Sequence, residues 1–330
     1  MAETINIGEI AVKISKDIFK HFLWTTHSKR DDNFTCSNPK HTGEKGKPKL
    51  THPGDVVFFY DDPYLGKPIY LHTDLKSYAS DSITATRLRA AFKSLCMTIE
   101  CAKGSSEWRE KYSVDASEAH EVRGLLFIHN HDNTYDKPFY EAIDKVDLPS
   151  LPVAPGSILH FLGPQDIQRL YSIANDIIRL KGEGELPNEY TFYYPDLVMS
   201  RRQGVIWGQP ATIETLVGPY IIIKHGKTDT HGAGYIIYYN APGECAEEFE
   251  YFLDSLSRYQ MLESGEKIRI RATSGNARDD LKSIFQMAKK KYVKAWGFDP
   301  AREAILNQID IDRITSMTNT YNAGDMGWRE

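Results

Sequence analysis

The chain has 330 residues, 41% hydrophobic and 26% charged, proportions of a globular protein long enough for two domains with separate cores. A net charge of −5 excludes any global pull toward nucleic acid, so such a contact has to use a local basic surface. No run approaches the roughly 18 apolar residues of a membrane span. The start MAETINIGEI lacks the order of a signal peptide, and Cys36, Cys96, Cys101 and Cys245 have no paired spacing, as in a reduced cytoplasmic protein.

Residues 5–24 are predicted as the first helix, with Ile7, Ile10, Ile14, Ile18 and Phe22 at helical spacing. Glu9 falls in its first turn, where the helix dipole alone favours an acid. Residues 25–52 are polar and rich in Lys, Asn, Gly and Pro, with one short strand candidate at 33–37. Cys36, His41 and His52, with His27 upstream, are metal-ligand types, but their spacing matches none of the usual zinc pairings. The segment therefore reads as a loop with incidental histidines, whose Lys40, Lys45, Lys47 and Lys49 are solvated or touch phosphates.

Residues 53–78 read as a β-hairpin. Val56 to Tyr60 is an aromatic and β-branched run opened by Asp55; residues 61–68 hold Asp, Gly and Pro suited to a turn; 69–76 form the return strand. Alternation on a strand places Ile69, Leu71, Thr73 and Leu75 toward the core, and Tyr70, His72, Asp74 and Lys76 on the other face. Asp74 and Lys76 thus stand together, with Asp55 on the neighbouring strand. Two carboxylates and an ammonium on one patch make a site for a hard cation that keeps a water. They equally suit a solvated strand face.

Residues 82–103 are predicted as a long helix capped by Ser82, carrying Arg87, Arg89 and Lys93 on no common face. The apolar run 122–129 predicts a strand buried on both faces, and the polar cluster 129–133 a turn. A strand at 157–161 and a helix at 165–181 follow. Pro195-Asp196 has no acid-x-Lys strand after it. Arg201 and Arg202 suit a phosphate contact or a helix cap. Beyond residue 212 a hairpin, a helix, a strand at 267–271 and a helix at 278–296 predict a compact α+β unit. Lys289, Lys290 and Lys291, with Lys267, Arg269 and Arg271, suit either a nucleic-acid backbone or a solvated surface.

Asp55 followed by Asp74-Leu75-Lys76 on successive strands, within an αβββαβ order, resembles the PD-(D/E)XK nuclease superfamily, with the usual Pro-Asp loosened to Pro53-Gly54-Asp55. The resemblance spans about the first 160 residues. It implies a restriction-endonuclease-like α/β fold over residues 1–200, with a smaller α+β accessory domain over 201–330. It further implies Mg²⁺, replaceable by Mn²⁺, on Asp55, Asp74, the Leu75 carbonyl and Glu9, with Lys76 serving the attacking water. The expected activity is DNA endonuclease, in a gated effector of bacterial anti-phage defence or restriction. Lys49, Arg87 and Lys289 to Lys291 are then the nucleic-acid contacts. The expected partners are DNA and either further copies of the chain or a neighbouring-gene product. A nuclease-fold scaffold without activity, and an RNA-directed nuclease, are the competing readings.

Overall fold

The computed structural model describes residues 2–43, 46–197, 207–273, 279–297, 299–314 and 321, the side chains of 2–8 excepted. Lys45, Arg201 and Arg202 lie outside them. The chain divides into two units, residues 1–168 with 319–330, and residues 169–318. This boundary precedes the expected one near residue 200, because strand 190–192 pairs within the second unit.

In the first unit, α1 (Ala2–Asp17) is followed by a 3-10 turn, Phe19–Phe22, and then β1 (Thr25–Arg30). The two-residue strands β2 (Phe34–Thr35) and β3 (Thr51–His52) pair only with each other. Strands β4 (Val56–Asp62) and β5 (Lys67–Tyr78) form the predicted hairpin. Asp62 Oδ1 accepts from the Tyr64 and Leu65 amides, 2.9 Å each, and Gly66 takes a positive φ of 60°, the chemistry of a tight turn. Helices α2 (Ala85–Gly104) and α3 (Ser106–Lys111), strand β6 (Glu121–Asn130), helix α4 (Phe139–Asp144) and strand β7 (Leu159–Leu162) complete the unit.

The sheet order is β1-β4-β5-β6-β7, antiparallel for the first two pairings and parallel for the next two. The αβββαβ order expected from the sequence is therefore present, but its first strand is Thr25–Arg30 and not the candidate at 33–37. The cap of α2 is Thr84, whose hydroxyl accepts from the Arg87 amide, in place of Ser82.

Both sheet faces are covered. Phe19 packs on Phe58 and Phe127 on one side, with ring centroids 4.7 and 6.2 Å apart, and Trp24 stacks on Tyr60. On the other, Val57, Leu126 and Ile128 share a core with Leu88, Leu95 and Ile99 of α2 and Trp108 of α3. His72, expected on an open face, is buried there. Gly124 lets α2 close on β6: a Cβ would meet Leu159 Cδ2 at 2.5 Å and Ile99 Cγ1 at 2.9 Å.

In the second unit, α5 (Pro164–Gly182) arrives from the first and leads to β8 (Tyr190–Phe192). Helix α6 (Ile213–Val217), hairpin β9 (Tyr220–His225) and β10 (Gly234–Tyr239), helix α7 (Ala246–Arg258), strand β11 (Lys267–Ala272), helices α8 (Leu281–Ala295) and α9 (Pro300–Asn307), and strand β12 (Asp310–Arg313) follow. The hairpin, helix, strand and helix expected from the sequence are all found.

Its sheet, β8-β9-β10-β11-β12, is antiparallel, antiparallel, parallel, parallel. A helix links its third strand to its fourth, as α2 does in the first unit. The second unit thus repeats the topology of the first.

Candidate active site

The hairpin register places Val56 opposite Thr73 and Val57 opposite His72. Continued by one residue, it sets Asp55 opposite Asp74, on the sheet face that also carries Lys76. Asp55 is 7% and Asp74 6% exposed. Asp55 Oδ2 accepts from the Leu75 amide at 2.8 Å. An extended residue directs its N–H and C=O to the same edge, so the Leu75 carbonyl also points toward Asp55. The Lys76 ammonium stands 2.5 Å from Asp74 Oδ1. That approach is a close ion pair, and apart from it Asp74 Oδ1 is a buried oxygen with no hydrogen-bond partner.

Burial and mutual charge bear on Asp55 and Lys76. Burial, and then the charge of Asp74, push Asp55 up from 3.8 to about 7. For Lys76, burial lowers the pKa, but the attraction and hydrogen bonding of Asp74 and the charge of Asp55 outweigh it, so the net shift is upward. Two buried carboxylates that repel each other are costly without a cation between them. An oxygen-only donor set of two carboxylates and one carbonyl suits a hard divalent cation. The residues present therefore fit the metal that this fold implies.

The segment entering β4 is held from three sides. His72 Nε2–H donates to the Pro53 carbonyl at 2.9 Å, while its Nδ1 accepts from Trp108 Nε1–H at 3.1 Å. One nitrogen donating and the other accepting makes this a neutral imidazole, and burial lowers its pKa accordingly. The Asp31 and Asp32 amides donate to the Asp55 and Gly54 carbonyls at 3.0 and 3.1 Å. Gly54 is required by space: a Cβ would lie 2.6 Å from the Asp32 carbonyl oxygen and 2.8 Å from the Tyr112 hydroxyl. The residue inserted between proline and acid is thus a packing necessity of this chain.

Beyond Lys76, the polar cluster at the end of β6 fastens the end of β5. Asn130 Nδ2 donates to the Tyr78 carbonyl and to Asp132, and Asp132 Oδ2 accepts from the Ser80 amide. Arg87 lies 5.8 Å above the Tyr78 ring, and its charge and that of Lys76 both bear on the Tyr78 hydroxyl. Lys49 is half-buried and donates to Ser94 Oγ at 3.2 Å. Burial lowers its pKa against the opposing pull of Asp74, so this ammonium belongs to the field of the site.

Asp55, Asp74, Leu75 and Lys76 are brought together, with Lys49 and Arg87 nearby. Glu9 is exposed on α1, and among the described residues no hydrogen bond or ion pair joins it to the others. Of the expected basic contacts of the second unit, Lys289 is corrected by its surroundings. Lys289 is 3% exposed and donates to the Ile309 carbonyl at 3.1 Å. Lys291 is paired with Glu247 and Glu250. Arg269 and Arg271 are paired with Glu185 and Asp176. Lys290 remains exposed. His72 and Trp108 went unassigned from sequence, since nothing in their spacing connects them to Pro53.

The topological equivalents of the two acids in the second unit are Pro219 and Asn240. The Asn240 amide donates to the Pro219 carbonyl and its side chain to the Gly218 carbonyl. No carboxylate occupies either place.

A family model described as the GAPS4 protein PD-(D/E)XK nuclease domain matches residues 1–166, half of the chain. No curated protein and no solved structure gives a match. The αβββαβ unit, the buried acid pair with its lysine, and this match over the whole of that unit agree, and the chain belongs to the PD-(D/E)XK nuclease-domain family of GAPS4 proteins.

Proposed function

We propose that the protein is a Mg²⁺-dependent endonuclease that hydrolyses phosphodiester bonds of DNA, with Mn²⁺ able to replace Mg²⁺. The observation that supports this most directly is the buried Asp55–Asp74 pair with Lys76 on the same face. Asp55, Asp74 and the Leu75 carbonyl would hold the metal. A bound divalent cation contributes Lewis-acid stabilisation of phosphate charge and a lower pKa for water. Lys76 orients the attacking water and counters the charge developing on the scissile phosphate. Lys49 and Arg87 neutralise neighbouring phosphates. Glu9 keeps its proposed place as a further metal ligand from the first helix. In the wider reading this activity is that of a cytoplasmic effector of anti-phage defence, gated through the second unit and a neighbouring-gene product.

The test is cleavage of plasmid, single-stranded DNA and RNA with Mg²⁺ or Mn²⁺, by wild type, Asp74→Ala and Lys76→Ala, each alone and with the neighbouring-gene product. Loss of a general acid–base group costs about 10²–10⁴-fold, and a drop of that size is expected for Lys76→Ala. Metal-dependent cutting of DNA that both substitutions abolish supports the proposal. Preference for RNA would change the substrate. Absence of cutting in every arm, with equal DNA binding by all three proteins, would replace the enzyme with a scaffold. Full-rate cutting by the single protein would remove the gating.

A further inference from the structure

The segment that reads as a loop with incidental histidines is organised around a different centre. Cys36 directly follows β2, His41 lies in the connection to β3, His52 ends β3, and Cys101 sits in the last turns of α2. One ligand atom from each lies within 4.8 Å of all the others. His27 takes no part, its ring standing edge-on to Tyr112 at 5.1 Å.

The separations are those of one tetrahedral ion. With Zn–S near 2.3 Å and Zn–N near 2.05 Å, tetrahedral angles set S···S at about 3.8 Å, S···N at about 3.6 Å and N···N at about 3.3 Å. The Cys36 and Cys101 sulfurs are 3.9 Å apart, each is 3.5 Å from His41 Nδ1, and His41 Nδ1 is 3.4 Å from His52 Nε2. A disulfide would need about 2.05 Å, and both cysteines are free. Donors this close leave no room for an iron–sulfur cluster.

The far nitrogens of both rings are braced as metal-bound imidazoles usually are. His41 Nε2 faces Glu100 Oε2 at 3.1 Å, and Asn38 Nδ2 donates to the same carboxylate. His52 Nδ1 faces Thr98 Oγ1 at 3.2 Å, while the Thr98 hydroxyl donates to the Ser94 carbonyl. The Ser37 hydroxyl donates to Cys101 Sγ at 3.5 Å. Three of the four ligands are buried, and the fourth is half-buried. Two thiolates and two neutral imidazoles select zinc over the hard cations suited to Asp55 and Asp74.

We propose that Cys36, His41, His52 and Cys101 form a structural zinc site, closed by four protein ligands and separate from the catalytic centre. On binding, each thiol gives its proton to solvent and each sulfur donates a pair to the metal. The ion pins the β2–β3 hairpin to α2. Because His52 immediately precedes Pro53-Gly54-Asp55, the same ion steadies the segment that delivers the first catalytic carboxylate.

The test is elemental analysis of the full-length protein purified without chelator, with Co²⁺ substitution as a second measurement. About one zinc per chain is expected in wild type, Asp74→Asn and Cys245→Ser, and a loss of at least tenfold in Cys36→Ser and Cys101→Ser. Wild type loaded with Co²⁺ should show the intense visible bands of tetrahedral thiolate coordination, a readout that holds even if the cysteine variants fail to fold. Wild type that takes up neither zinc nor Co²⁺, weak octahedral Co²⁺ bands, iron in place of zinc, or zinc retained in both cysteine variants would each overturn the site. Nuclease activity enters none of these readouts, so the proposal stands or falls apart from the catalytic one.

Discussion

Asp55 is the residue on which site chemistry and stability meet. Its carboxyl is raised to about 7 by burial and by Asp74. An acid raised above its unfolded value stabilises the fold fully below that value, near 3.8, and loses the contribution as pH rises through about 7. In buffer without divalent cation, the wild-type melting temperature should therefore fall between about pH 4 and 7 relative to Asp55→Asn. Parallel slopes for the two proteins would show that Asp55 ionises without cost. Added Mg²⁺ should raise the wild-type value most at the alkaline end, where the carboxylate is free of its proton.

Among the elements, α5 and β11 are joined by a buried ion pair, Asp176 with Arg271. Asp176 is fully buried. It accepts from Arg271 Nε and from Arg271 Nη2 at 2.6 Å, from the Tyr238 hydroxyl at 3.1 Å and from Arg179 at 3.1 Å. Removing one partner of a buried pair leaves the other charge uncompensated, so Asp176→Ala should destabilise by about 3–5 kcal/mol. Replacing Asp176 and Arg271 together by apolar residues should cost far less. Urea denaturation of the single and double variants checks this, and equal losses would refute the coupling. In strand 267–271, Arg269 and Arg271 are both paired with acids of their own unit, Glu185 and Asp176.

At the scale of the molecule, two units share one topology, and among the described residues only the first carries the acid pair at the hairpin's open end. Asp74→Ala should then leave no residual metal-dependent cleavage, since Pro219 and Asn240 supply no replacement ligand. Measurable cutting by this variant at high enzyme concentration, further lost on changing Asn240, would locate a second centre. The repeat itself was hard to see from sequence. The apolar hairpin strands of the second unit are as legible as those of the first, but its opening strand is only Tyr190–Phe192 and its closing strand only Asp310–Arg313.

Local pattern determined the β4–β5 hairpin and the nearness of Asp55, Asp74 and Lys76 on it, because strand alternation and turn chemistry act over a few residues. It missed β1, whose Thr25 to Arg30 is an edge strand with no apolar residue to mark a buried face. Only the tertiary structure could decide the surroundings of isolated side chains. Lys289 looked like a surface cation until its neighbours buried it. Cys36, His41 and His52 lacked a ligand spacing because their fourth partner, Cys101, lies 49 residues beyond His52 on α2. Contacts made across that distance in sequence depend on the packing of whole elements, which no window along the chain contains.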